Sequence, residues 1–259
     1  MISTREFLLA LLLPALVAGL CGAVAARVPL PALRRGLQAL GIALAWLLAV
    51  YGVTGWLPLL QPLGSATQLA PLLALPVALV AAFLPAWTPC LATLGLLALF
   101  FGRLGAPPGW VERVVAGLAL LAAWSSSRPA DEARPAWRAP VLLASWAGAV
   151  AFLCICGRVA SLSLLAAGLG ACAGAWFLAS LRRPAWNGGR AGFDLGVFAL
   201  SGTLLSAVYL GELDPRAALV LLAGLAATRL RSLAGAFGAE LAAIALAIWI
   251  AWPADGFPD

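Results

Sequence analysis

Apolar runs alternate along this chain with short clusters of arginine, acids, proline and glycine. Runs long enough to cross a bilayer as helices cover 7–25, 37–59, 139–156, 159–181 and 194–211, with shorter ones at 111–126, 216–229 and 238–252. A crossing helix needs about 20 such residues, with roughly 17–25 tolerated. The stretch 69–102 fits neither count, because its 34 residues are too many for one helix and slightly few for two. "LPAWTPC" (84–90) stands in its middle. Pro85 and Pro89 both disfavour a helix running through them, one by its missing donor and both by restricting the preceding residue. The pattern predicts an all-α, polytopic helical membrane protein. It has ten helices where 69–102 crosses twice and nine where it crosses once.

Arginine placement favours ten. Cytoplasmic loops collect basic residues, so 27–35, with three arginines, is expected inside, and the arginine-free 60–68 outside. The acidic tail "PADGFPD" is expected outside as well. Counting back from it, the stretch 69–102 must begin and end on the same side. "LPAWTPC" then becomes a cytoplasmic turn, both termini lie outside, and eleven arginines fall inside against five outside. Trp56, Trp87, Trp110, Trp124, Trp137, Trp186 and Trp252 sit near the proposed helix ends, as an interfacial aromatic belt requires.

Composition agrees with the membrane reading: 64% of residues are hydrophobic, 10% are charged, and the mean hydropathy is +1.03. Soluble domains carry about a quarter charged residues. All sixteen basic residues are arginine, in a chain rich in Ala, Gly, Pro and Leu, which suggests a GC-rich bacterial gene and an inner-membrane location. The net charge of +6 is explained by loop anchoring, so nucleic acid is not an expected partner. Cys21, Cys90, Cys154, Cys156 and Cys172 lie in apolar runs without a CxxC pair and read as small apolar filler, so neither a metal nor a cofactor is expected. Phe7–Leu20 followed by Ala23-Val24-Ala25 has the form of a signal peptide, but Arg27, Arg34 and Arg35 directly after it favour a retained first helix.

A repeat lies within the chain. "PCLATLGLLALFFGRL" (89–104) and "PRAALVLLAGLAATRL" (215–230) share six of sixteen positions at an offset of 126, and "ERVVAGLALLAAW" (112–124) echoes "ELAAIALAIWIAW" (240–252). Five helices separate the copies, so they have opposite orientations. The chain thus reads as two inverted five-helix halves, 1–126 and 139–259, joined by a proline-rich cytoplasmic linker over 127–138. Inverted repeats are a common construction of secondary transporters, with a site near the midplane where the halves meet.

"YLGELDPRAALVLLAGLAA" (209–227), and more faintly "LPVALVAAFLPAWTPCLATLGLLALFFG" (75–102), resembles the hairpin that closes each half of the EamA-type drug/metabolite transporters. The resemblance implies export or import of small metabolites through a central cavity. The chain departs from the family order, with one helix fewer before the first hairpin and one more, 238–252, after the second.

No ionisable residue falls at a predicted helix centre. Glu112, Asp194, Glu212, Asp214, Arg216 and Glu240 all lie at predicted ends, and nothing resembles a hydrolytic site, so no enzyme activity is expected. A lipid-headgroup transferase would need acids and arginines of one leaflet to converge, such as Glu112 with Arg113 and Glu212. Candidate substrate contacts come from milder polar stripes. Gly202, Ser206 and Tyr209 share one helix face with Thr203 beside them, and Tyr51 and Thr54 recur next to Pro58. Such stripes line cavities or let helices pack closely. Gly170-x-x-x-Gly174 is a further close-approach motif. The expectation is a transporter of a small neutral or amphiphilic metabolite. The alternative is a non-catalytic subunit or scaffold whose packing faces serve a homo-oligomer or a larger membrane complex.

Overall fold

The computed structural model describes residues 8–55, 66–84, 87–102, 109–126, 136–226, 230 and 232–252. Among these residues there are ten α-helices and no strand. They are α1 (Leu8–Ala25, opening with a π-helical turn over Leu8–Leu12), α2 (Pro31–Thr54), α3 (Ala66–Phe83), α4 (Thr88–Phe101) and α5 (Trp110–Ser126). The second set is α6 (Arg138–Cys156), α7 (Ala160–Arg182), α8 (Gly189–Tyr209), α9 (Pro215–Gly224) and α10 (Leu233–Ala251). Six segments, on α1, α2, α6, α7, α8 and α10, are long and apolar enough to cross a membrane; the apolar parts of α4 and α9 are shorter. The chain is a multi-pass helical membrane protein.

Local chemistry sets the boundaries. Proline opens α2 and α9 and lies in the first turn of α4, where its missing N–H costs nothing. α2 ends on Gly55 in the left-handed conformation (φ 76°). Asp214 and Ser232 cap α9 and α10 with side-chain oxygens that accept from the Arg216 and Gly235 amides. The stretch 69–102 does divide: α3 stops at Phe83, and α4 begins at Thr88, whose hydroxyl donates to the Leu84 carbonyl at 3.2 Å. Between α7 and α8, Gly188 and Gly189 both have positive φ (73° and 61°), and a Cβ on either would collide with Trp176 or Gln38. This turn therefore requires two glycines.

Three helices start earlier than predicted: α2 at 31 instead of 37, α8 at 189 instead of 194, and α10 at 233 instead of 238. α9 ends at Gly224, short of the predicted 229, and 227–229 lie outside the described residues. Two predicted helix-end acids therefore move inward. Asp194 is in the second turn of α8, and Glu240 is two turns into α10; both are buried. The linker residues 127–135, Trp56, Pro58, Pro85 and the side chain of Trp124 lie outside the described residues.

Helix α8 is the axis of the bundle. Every residue from Ala191 to Ala207 is buried, and the helix touches α2 to α7 and α9. Trp46, Trp146 and Trp176 fill the core around it. Trp146 donates its indole N–H to Leu221 O (3.1 Å), and Trp176 donates to Ala18 O (2.9 Å). α1 is tied in by that bond and by its contacts with α2 and α7. Trp87, Trp110 and Trp252 are exposed near helix ends, as a belt position requires, while Trp137 and Trp186 are half-buried.

Contacts sort the connections onto two ends. At one end Arg138 Nη2 donates to Leu230 O (2.6 Å), and the Trp137 and Phe177 rings meet edge to face. At the other, Phe101 meets Tyr209, the Glu212 amide donates to Gly157 O (3.1 Å), and Phe152 stacks on Trp252. Since α4 ends at Phe101, its start at Thr88 lies at the first end, and the 210–214 turn lies at the second. Of the described arginines, seven (27, 34, 35, 138, 182, 183 and 190) belong to the first end and three (113, 158 and 216) to the second.

Candidate functional site

The predicted polar stripe divides on inspection. Thr203 and Ser206 are buried on α8, and each hydroxyl donates to the carbonyl one turn back, Ala199 O (2.9 Å) and Gly202 O (2.8 Å). Gly202 is packed against Trp46 and Leu96, either of which would lie 3.4 Å from an added Cβ. Tyr51 is half-buried near the end of α2, and Thr54 is exposed, donating to Val50 O (2.8 Å). Hydroxyls bonded within their own helix favour close packing over ligand contact. Near this region three buried polar atoms have no hydrogen-bond partner: Trp46 Nε1, Thr93 Oγ1 and Ser201 Oγ. Trp46 touches Gly202, Ser201 adjoins it in sequence, and Thr93 is one turn before Leu96.

Of the six candidate residues, Tyr209 alone lines the groove between α5, the C-terminal half of α8, and α9. The groove has a volume of about 380 Å³, within the range that holds small molecules. Most of its wall is apolar: Val115, Ala119 and Leu120 from α5, Leu205 from α8, and Leu219 and Leu222 from α9. One end is polar. Glu112, in the first turn of α5, and Tyr209, at the last turn of α8, both face it. A carboxylate in that first turn suits the positive end of the helix dipole. Beside them Arg113 lies over the Phe101 ring (5.8 Å), and Phe101 meets Tyr209 edge to face (5.4 Å). Glu112 to Leu120 spans eight residues of helix, a groove length of about 12 Å.

α9 flanks the groove along its length, through Pro215, Ala218, Leu219 and Leu222. Its ten residues are capped by Asp214, and the helix packs against α5. Glu212 does not join the polar mouth. It pairs with Arg158 (3.2 Å), and both side chains are largely exposed. The convergence of Glu112, Arg113 and Glu212 that a headgroup transferase requires is not formed. Among the described residues no three Cys, Asp or Glu side chains are grouped as metal ligands, and the five cysteines are unpaired. The groove is thus an apolar slot with a carboxylate and a phenol at one end.

No protein-family model, curated protein or solved structure matches the chain.

Proposed function

We propose that the chain is an inner-membrane transporter of small amphiphilic molecules, with ten crossings arranged as two inverted halves that alternate access to a site between them. The observation that carries this reading is the position of the groove. One wall is α5, the last helix of the half 1–126, and the other is α8 and α9 of the half 139–259. Transporters with inverted repeats place their sites at that boundary. The helix ends support the duplication: α3 and α8 stop at Phe83 and Tyr209, at the offset of 126 that aligns the sequences. The arginine-rich end fits the cytoplasm, which supports the expected outside position of both termini. The resemblance of 75–102 and 209–227 to EamA-type hairpins points the same way. The preferred solute carries a cationic or hydrogen-donating head.

The test uses the full chain in lipid nanodiscs with a medium-chain alkyltrimethylammonium and an alkyl sulfate of equal length. The cation is expected to raise the Tm and the anion to leave it unchanged, with the difference abolished in Glu112→Gln. In proteoliposomes the same cation should be taken up, more slowly by Glu112→Gln. Equal shifts from both probes, or uptake indifferent to Glu112, would refute the assignment.

A further inference from the structure

α10 is the most peripheral of the six long apolar helices: only 17% of its apolar window is buried, and among the described residues it packs chiefly against α9 and α6. It meets them along a narrow stripe of small residues, Ala236, Ala243 and Ala247, with Gly224 of α9 tight against Ala243. One position of that stripe is a carboxylate, Glu240, which is 4% exposed. It lies seven residues into the helix, roughly 10 Å from its start. Packing does not call for an acid there, and an intramembrane acid is costly to keep.

The hydrogen positions around Glu240 are constrained by counting. Ser145 Oγ of α6 lies 2.6 Å from Glu240 Oε1 and 3.0 Å from Leu142 O. A serine hydroxyl has one hydrogen, and a carbonyl has none to give. Both contacts are hydrogen bonds at once when the carboxyl supplies the second hydrogen: Glu240 donates to Ser145, and Ser145 donates to Leu142 O. Oε2 has no partner. No described ion pair includes Glu240.

The charged and titratable groups of the neighbouring helices lie elsewhere. On α6, Arg138 is two turns before Ser145 and bonded to Leu230 O, while Cys154 and Cys156 are more than two turns beyond it. On α9, Asp214 and Arg216 are at the opposite end of the bundle, and α10 has no other ionisable residue. Asp194, the other buried acid, differs in having Arg190 at 3.6 Å.

From this geometry we infer that Glu240 is a proton-binding site inside the membrane, with Ser145 as the group that hands its hydrogen bond over. In the protonated state the chain Glu240–Ser145–Leu142 is complete. On loss of the proton the serine hydrogen turns to Oε1, and Leu142 O keeps its ordinary helical partner. α9 lies between this site and the groove, so it is the element through which proton occupancy and solute occupancy would be felt together. The proton site stands apart from the solute reading, because binding a proton requires no transport.

An apolar carbodiimide, dicyclohexylcarbodiimide, reacts with protonated carboxyls within membranes and tests this on the wild-type chain in proteoliposomes. Mass spectrometry of the labelled protein should find the adduct on Glu240 and not on Asp194, decreasing as pH rises. Ser145→Ala should extend labelling to higher pH, since its hydroxyl steadies the anion. Labelling of Asp194 in place of Glu240, labelling unaffected by pH, or a Ser145→Ala profile identical to wild type would each overturn the proposal. Suppression by sodium at fixed pH would reassign the site to a metal cation. Because the primary result is read on the unmutated chain, a misfolded variant cannot obscure it.

Discussion

Three glycines on α7 offer the same perturbation in three environments. A methyl group added at Gly168 would drive into the backbone carbonyl of Ala10 and would also lie 3.3 Å from Ala49 Cβ. At Gly170 it would meet Ala147 Cβ at 3.2 Å, and at Gly174 it meets nothing within 4 Å. Replacing a helical glycine by alanine gains about 1 kcal/mol in helix propensity when nothing obstructs it. Overpacking costs about 1–3 kcal/mol, and at Gly168 the obstacle is backbone that cannot rotate aside. Gly174→Ala should therefore stabilise by up to about 1 kcal/mol, and Gly170→Ala should be near neutral, since Ala147 has to yield a few tenths of an ångström. Gly168→Ala should destabilise by about 1–2 kcal/mol as α1 is pushed from α7. Equilibrium unfolding of the purified chain in mixed micelles reads all three on one scale. Equal effects, or the largest loss at Gly174, would mean that the contact between α1 and α7 is not as described. The Gly170-x-x-x-Gly174 spacing gains nothing at its second glycine; the tight position is Gly168, outside the motif.

Further outcomes follow from single contacts. Trp176→Phe removes the bond to Ala18 O while keeping most of the ring, and should cost about 0.6–1.5 kcal/mol in the same unfolding assay. Asp214→Ala should cost about 1 kcal/mol, by loss of the α9 cap, and raise hydrogen exchange at the Arg216 amide. Arg158 is the one described non-glycine residue at positive φ (58°), so Arg158→Gly should stabilise slightly, by about 1 kcal/mol, while Glu212→Ala, which breaks an exposed pair, should change little. In a chain with its five cysteines replaced, Asp214→Cys should react with an impermeant thiol reagent from outside intact cells, and Trp87→Cys, at an exposed position beside α4, only after permeabilisation. Labelling of both from one side would rule out the inverted arrangement.

The break between Phe83 and Thr88 was legible because two prolines lie four residues apart in an apolar run, a local signal that tertiary packing did not override. The early starts of α2, α8 and α10 were less legible. Arg34 and Arg35 in the first turns of α2, and Arg190 in that of α8, lower the apolar content where the helix already exists, although Pro31 and Ser232 are the opening residues such helices use. That shift misplaced Asp194 and Glu240 at headgroup depth. Tryptophan roles were half legible: position near a helix end marked Trp87, Trp110 and Trp252, but nothing local separates core Trp146 from exposed Trp249. The groove was hidden for a different reason. Glu112 and Tyr209 are far apart in sequence, and only the docking of α5 against α8 and α9 brings them to one mouth. Tyr209, one of two tyrosines in the chain, and Glu112 at a predicted helix end were each visible in the sequence, but nothing there joined them.

The complete enclosure of α8 constrains how the protein is made. A segment with Asp194, Ser201, Thr203, Ser206 and three interior glycines is a poor candidate for dissolving alone in lipid, and it has seven neighbouring helices in the finished bundle. Six of those, α2 to α7, leave the ribosome before it. α8 can therefore pass from the translocon into a vestibule already lined by protein, leaving α9 to pack against it afterwards. The order of synthesis, with this enclosed helix after six of its seven neighbours, matches the order in which its surroundings become ready to receive it.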